Sequence, residues 1–463
     1  MSETIEMNNA PILDSELGTK RVRSLLFKYS LASLAGISWQ MIAAIFDGFF
    51  VGNGIGATGL ATISIVFPLW MLVIALSMLF GVGASSQSAA KKGEGDAEGA
   101  RLIFAKGFWY SIILSAIISI FVLTFTEQVV RFFGATDEFI GSAITYTRIY
   151  MVGFPFFVTG LYFYYYILVD EKPLIAAFAQ IIPAVLGITF EYVFIFKLDF
   201  GIAGSPLASW GICVGGYFLL IFYFIFNKKT IFKIKLSDLP QITRHDLNQI
   251  NKIGFAGFMT QISMTVASII INNQIGVFGT DLDFAVYGVI NAYLIYILVN
   301  ITQAFIYGQL PIASYNYGAK LYARVVDLIK NAVIYSILTQ IIVLILMFVF
   351  ADSILMFFCG NDPELIAATK EVMSVFLILY PLGGYTFVAS GYFQALNLNG
   401  RALINGCSRY IIFAIPLLFI LPRISGLHGI WLAQPIADAL SFVCSTAFMY
   451  HETHRLKKLA DER

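Results

Sequence analysis

The sequence is short of charge. Lysine, arginine, aspartate and glutamate make up 12% of its 463 residues, about half of the ~25% usual in soluble globular domains. Hydrophobic residues make up 59%, so a predominantly aqueous surface is excluded. The two signs nearly cancel, with 29 basic against 28 acidic residues, which argues against a polyanion-binding surface; no nucleic-acid partner is expected. Cysteine is scarce: Cys213, Cys359, Cys407 and Cys444 lie far apart with no C-x-x-C spacing, and three of them fall inside apolar runs. That pattern suggests neither a disulfide framework nor a zinc site. The four histidines form no zinc-like constellation. No G-x-x-x-x-G-K-[ST] phosphate loop occurs, so ATP hydrolysis is not expected; with no other soluble-enzyme motif, the chain reads as a non-enzyme without a cofactor. The first 24 residues are polar and of mixed charge, and they lack a short apolar core followed by a small-residue cleavage site. No cleaved signal peptide is expected.

What the sequence has in abundance is long apolar runs. A span needs roughly 20 mostly apolar residues to cross a ~30 Å hydrocarbon core. Such runs lie near 25–51, 58–87, 103–126, 139–169, 173–196 and 203–227, and again near 250–277, 284–313, 325–350, 371–396, 402–422 and 427–450. The fold class expected is therefore all-α integral membrane, with twelve transmembrane helices. A polar, basic connector separates the two sets, and the expected organisation is an N-terminal tail (1–24), a first lobe (25–227), a connector (228–249), a second lobe (250–450) and a C-terminal tail (451–463). With both tails on the cytoplasmic side, all but five of the 29 basic residues lie at or near that side, as the positive-inside rule requires.

The two halves resemble each other at an offset of about 225 residues. GIAGSPLASW (201–210) aligns with GLHGIWLAQP (426–435), FPFFVTG (154–160) with YPLGGYT (380–386), and KKGEGDAEGAR (91–101) with NYGAKLYAR (316–324). A six-span unit preserves orientation, so the repeats are parallel and related by a pseudo-two-fold axis along the membrane normal. Two six-helix lobes with a substrate path between them is the architecture this implies.

A lone carboxylate stands out in AAIFDGFFVG (43–52). Asp47 has no charged residue within eighteen positions on either side, and a central aspartate costs ~2.5–3.5 kcal/mol to insert. Ser33, Gly36, Gln40 and Asp47 recur at helical spacing and form one small or polar stripe. Glu191 is a second isolated acid, on a face with Pro183 and Gly187 at intervals of four. Interfacial placement would account for either acid alone. Two such carboxylates in one lobe suggest a paired site that shares a proton or a cation, with sodium at Asp47 and Glu191 as the metal alternative.

In the second half, Arg409 and Asp438 can form an intramembrane pair that staples two helices or contacts substrate. Gln261, Asn272, Asn273 and Gln303 can bind substrate or bond neighbouring helices. YFYYY (162–166), near the cytoplasmic end of the fourth span, reads as an interfacial aromatic belt.

FDGFFVGNGIGATGLATIS (46–64), GVGASSQSAAKKGEGDAEGAR (81–101), FGIAGSPLASW (200–210) and GQLPIASYNYGAKLYARV (308–325) resemble, in order, the signatures of multidrug and toxic compound extrusion (MATE) transporters. The last is similar to segments of the bacterial branch with the MepA-like and DinF-like exporters. The resemblance runs from about residue 25 to 450. It implies antiport in which protons or sodium enter while a drug-like, often cationic, amphipath leaves by alternating access. It also implies a first-lobe coupling site, with Asp47 matching the first-helix aspartate, Gly187 and Glu191 the fifth-helix Asn-x-x-x-Asp pair, and Ser209 a sixth-helix threonine. Glycine for asparagine removes an amide oxygen and tilts the expectation toward protons. The first-helix proline of many members is missing near Ala32, leaving Gly36 to permit bending. Gln261 stands where some relatives carry a glutamate, so no cation site is expected in the second lobe.

The expected setting is a monomer in a bacterial cytoplasmic membrane, with lipid and a small-molecule substrate as its partners. A flippase for a lipid-linked metabolite is the alternative transporter, although few basic residues lie inside spans to meet phosphates. A non-transporting scaffold or receptor is the alternative outside that class. The major facilitator fold is set aside because its G-x-x-x-D-R-x-G-R-K loop is missing after the second span.

Overall fold

The computed structural model describes residues 15–241, 243–359 and 362–462, and among them it is helical with no strands. The long apolar helices are α1 (Val22–Gly54), α2 (Thr58–Glu94), α3 (Ala97–Thr124), α4 (Ile140–Val169), α5 (Pro173–Lys197), α6 (Gly201–Phe226), α7 (Arg244–Phe278), α8 (Asp281–Gly318), α9 (Tyr322–Val349), α11 (Asn399–Ser425) and α12 (Leu427–Asp461). The remaining span, α10, is a pair, Pro363–Phe376 and Tyr380–Ala395, bent by 53°. The expected single run at 371–396 is thus broken, because Pro381 in the first turn of the second piece cannot donate the hydrogen bond that would continue the helix. Counting the bent pair once gives the twelve-helix arrangement. Several helices also exceed the apolar runs: α2, α7 and α12 extend into polar sequence, and the expected C-terminal tail continues α12.

Polarity is arranged for lipid. On α3, Ser111, Ser115 and Ser119 are buried while Ile113, Ile117, Ile120 and Phe121 lie outside. The buried hydroxyls bond within the protein, as Ser119 does to the Met151 carbonyl at 2.5 Å. An outward apolar face with polar groups satisfied inside is what a hydrocarbon solvent demands.

The chain divides into two compact units. The first comprises residues 1–19 and 31–258, and the second 20–30 and 259–463. The N-terminal ends of α1 and α7 are therefore exchanged, which the hydrophobic runs did not foretell. In the first unit a Cβ on Gly83 of α2 would stand 2.3 Å from the Ile250 carbonyl oxygen, and one on Gly254 1.8 Å from that of Leu79. In the second unit a Cβ on Gly308 of α8 would stand 2.4 Å from Ser30 Oγ. Gly83 and Gly308 are equivalent at the repeat offset, as are Ser30 and Gly254 to within one residue. Small residues let each first helix of a repeat cross closely.

The duplication extends to the turns. Helices α2 and α8 end in left-handed residues, Gly95 and Lys320, and α4 and α10 lead into Glu171 and Asn397 in the same conformation. The closing bonds correspond as well: Asp96 N to Lys91 O (2.9 Å) matches Leu321 N to Asn316 O (2.8 Å). The aligned Gly201 and Gly426 are both at positive φ (52° and 59°).

The connector docks on the first unit. Arg101 donates to Asp238 at 2.9 Å and to Glu98, and Lys106 pairs with Asp246 at 2.8 Å. The Arg101 hydrogen bond holds the Asp238 carboxyl below its usual range. A carboxyl depressed on folding adds stability above its unfolded pKa and loses it as pH falls through the folded value. In the N-terminal region, Ser15 Oγ and Glu16 N donate to Glu171 at 2.6 and 2.8 Å, and Lys92 pairs with the same carboxylate.

The YFYYY cluster is a core, correcting the expected interfacial belt. Tyr162, Phe163, Tyr164, Tyr165 and Tyr166 are all buried. Tyr162 donates to Phe104 O (2.7 Å) and Tyr164 to Ser33 Oγ (3.0 Å), while Phe104 packs against Tyr162, Tyr166, Phe224 and Phe232. Each buried phenol with a partner carries its polar tip without cost to the apolar packing.

Candidate functional site

Helices α1 and α5 run side by side in the same direction. A Cβ on Gly36 would lie 3.2 Å from the Gln180 side chain, and one on Gly54 2.3 Å from Ile195 Cγ2. Between those contacts Phe50 packs on Tyr192 and Phe196, with ring centroids 6.0 and 5.9 Å apart. Asp47 stands eleven residues beyond Gly36, and Glu191 eleven beyond Gln180. At 1.5 Å per residue the two carboxylates are carried to the same depth. Gln180, Pro183, Gly187 and Glu191 are the buried face of α5, and a π-helical turn, Val193–Lys197, follows directly; such turns recur at functional sites.

Helix α6 approaches α5 along glycines. Cβ atoms on Gly211 and Gly216 would stand 2.4 Å from Phe190 and 2.9 Å from Pro183. This contact seats Ser205, whose hydroxyl donates to Asp47 Oδ1 at 2.7 Å. Tyr146 of α4 is buried beside Asp47, Glu191 and Ser205 and stacks on Tyr150 with centroids 6.1 Å apart.

Glu191 is 4% exposed, so it does not reach out to the interface. Its carboxyl lies beside that of Asp47, and among the described residues no donor reaches Glu191 Oε1. Among the described residues neither carboxylate has a basic partner. Four oxygen-bearing side chains thus converge from four helices. Glu191 is buried while Asp47 is half-buried, and two like charges placed side by side favour a proton or a cation between them. No group of three or more His, Cys, Asp or Glu side chains suited to a metal ion occurs among the described residues.

The remaining sequence-derived candidates are distributed as follows. Gln40 is half-buried on α1, one to two turns short of Asp47. Ser209 is half-buried one turn beyond Ser205 and makes no hydrogen bond to Asp47, so the structure puts Ser205 there instead. In the second unit Gln261 is buried, Gln303 accepts from Tyr307, and Asn272 is exposed on the helix surface.

Arg409 and Asp438 are both fully buried and joined side-on, Nε to Oδ1 at 2.6 Å and Nη2 to Oδ2 at 3.1 Å. Gln434 Nε2 donates to the same Asp438 Oδ1 at 2.8 Å. The guanidinium carbon lies 4.3 Å from the Tyr380 ring centroid, 5.1 Å from Phe387 and 5.2 Å from Tyr410.

With this geometry in place, the MatE family model matches residues 33–193 and 257–422, one segment in each half. The chain belongs to the MatE family. It is 23% identical over 438 residues to the multidrug export protein MepA of Staphylococcus saprophyticus subsp. saprophyticus, covering 94% of this chain and 96% of that protein. It is 24% identical to MepA of Staphylococcus aureus, covering 93% and 94%. Among solved structures it is similar to a MATE protein in complex with MaL6 (TM-score 0.89, 22% identity, 96% of this chain and 99% of that one). It is also similar to a multidrug resistance MATE family transporter of the MOP superfamily in an outward-facing conformation (TM-score 0.88, 23% identity, 96% and 98%). The twelve-helix fold is thus the MATE fold, and the protein is a multi-pass membrane transporter.

Sequence reasoning missed two residues of this candidate site, Ser205 and Tyr146. Ser205 and Ser209 share a helical face, and which of them reaches Asp47 depends on how α6 slides along α5. Tyr146 is one of 24 tyrosines; its only local signal is the Tyr146–Tyr150 spacing, which places two phenols on one inward face.

Proposed function

We propose that this MatE transporter is a proton-coupled exporter of cationic amphipathic small molecules, with Asp47 and Glu191 as its coupling site. The observation that carries the proposal is the buried Glu191 carboxyl facing Asp47 with no basic partner and one oxygen without a donor. Protonation there removes a charge from a low-dielectric interior. Deprotonation leaves a carboxylate that must find a cation, and a cationic substrate or a second proton serves. Ser205 fixes Asp47 by its hydrogen bond, and Tyr146 shields the pair from water. Because the pair ties α1 to α5, a change in its protonation repositions the outer end of α1 and moves substrate through alternating access. The multidrug export named for the MepA relatives supports a drug-like substrate. The setting proposed is a bacterial cytoplasmic membrane, the working unit a monomer, and both termini cytoplasmic.

Sodium is the competing coupling ion, and a gradient experiment separates the two. In proteoliposomes carrying the wild-type chain, an imposed pH gradient drives ethidium against its own gradient, while an equal sodium gradient at constant pH does not. Sodium-driven accumulation without a pH effect would assign the site to sodium.

A further inference from the structure

The start of α5 and the end of α6 reach the surface together. Asp170, which ends α4, accepts from the Tyr223 hydroxyl of α6 at 2.5 Å, and Thr230 lies beside the same carboxylate. That contact brings Lys172, two residues after Asp170, close to Lys228 and Lys229, which directly precede Thr230. All three lysines are exposed, and among the described residues none has a carboxylate partner. The neighbouring acids are engaged elsewhere: Asp170 with Tyr223, and Glu171 with Lys92, Ser15 and the Glu16 amide. The bonds to Ser15 and Glu16 also place the lysines on the side of the N-terminal segment.

Beyond the lysines the outward faces of both helices are apolar. Helix α5 exposes Leu174, Phe178 and Ile182 at intervals of four, and α6 exposes Phe218, Phe222 and Phe226 at the same interval. The three phenylalanines form a ladder with ring centroids 6.1 and 5.6 Å apart. Acyl chains cover such a face in a bilayer-spanning protein, and lysine stems carry their ammonium groups to the level of the headgroups. Charge then decides which lipid is held, because unpaired ammonium groups attract an anionic headgroup and gain nothing net from a zwitterionic one. The second unit offers an internal comparison. Its equivalent turns carry Leu398, Thr453 and His454, and the nearby Arg401 and Arg455 are tied to Glu452.

We infer that Lys172, Lys228 and Lys229 hold the phosphate of an anionic phospholipid whose acyl chains lie along α5 and α6. The experiment is native mass spectrometry of the full detergent-solubilised chain, titrated with dioleoyl phosphatidylglycerol or dioleoyl phosphatidylcholine. The wild type is expected to bind phosphatidylglycerol about tenfold or more tightly than phosphatidylcholine. One lysine near an anionic headgroup is worth about fivefold in affinity. Each single change to Gln at 172, 228 or 229 is therefore expected to weaken phosphatidylglycerol about fivefold, and the triple change about a hundredfold. Phosphatidylcholine binding and the melting temperature should not move. Lys457→Gln with Lys458→Gln removes two exposed lysines of the second unit and is expected to leave phosphatidylglycerol binding unchanged. Glycerol 3-phosphate at the lipid concentration is expected not to displace the lipid. The inference is overturned if the wild type does not prefer phosphatidylglycerol, or if the single and triple variants bind it as the wild type does. Equal loss in the 457/458 variant would overturn it as well, by showing a diffuse charge effect. Displacement by glycerol 3-phosphate would do the same, by assigning the lysines to a soluble phosphate.

Discussion

Replacing Asp47 by Asn or Glu191 by Gln is expected to reduce ethidium export from cells to the level of cells lacking the protein, with normal expression and membrane insertion. Each substitution keeps the side-chain shape and removes the charge that the proposed coupling cycle creates and cancels. Neither breaks an ion pair, because neither acid has a basic partner among the described residues, so folding is not the quantity at risk. Asp47→Asn can still accept from Ser205, whose hydroxyl lies 2.7 Å from Oδ1. Ser205→Ala is expected to weaken export by about tenfold or less, because water can replace most of the about 1.5–3 kcal/mol that one hydrogen bond to a charged group is worth. Dye-efflux rates normalised to protein in the membrane check all three variants. Full export by both neutralised acids would remove the coupling role.

The second large effect concerns the other half of the chain and is on stability. Removing one member of the fully buried Arg409–Asp438 pair leaves an uncompensated charge, at a cost of about 3–5 kcal/mol. Arg409→Ala and Asp438→Ala are therefore each expected to unfold well below the wild type in a thermal melt followed by size-exclusion chromatography. The double change Arg409→Met with Asp438→Leu removes both charges, and it is expected to recover most of the loss. Single variants as stable as the wild type would mean that the pair is hydrated and not a staple. The asymmetry with Asp47 and Glu191 is the informative part: one unit brings together two acids with no basic partner among the described residues, and the other pairs an acid with a guanidinium.

Much of this was legible in the residues. Asp47 and Glu191 stood out because a carboxylate in an apolar run has few reasons to exist, and helical spacing placed each on a stripe of small or polar neighbours. The parallel repeat was visible in glycines that the structure shows to be turns, as at Gly201 and Gly426. Less legible was anything decided by the meeting of two helices. Ser205 displaced Ser209 because glycines set where α6 lies on α5. The exchanged ends of α1 and α7 follow from close crossings at Gly83 and Gly308, which leave no mark on hydrophobicity. The tyrosines at 162–166 were misread because a phenol reads the same at an interface and in a core, until its hydroxyl finds a backbone carbonyl such as that of Phe104. Tyr146 was invisible for the same reason.

The measurement that bears most directly on the coupling site counts protons. Ethidium is added to the detergent-solubilised protein in weakly buffered solution near neutral pH, and the protons released per chain are recorded. The wild type is expected to release about one proton as the cation replaces it at the paired carboxylates, and Glu191→Gln to release none while remaining folded. Proton release from Glu191→Gln equal to that of the wild type would contradict the assignment of the coupling site to Asp47 and Glu191.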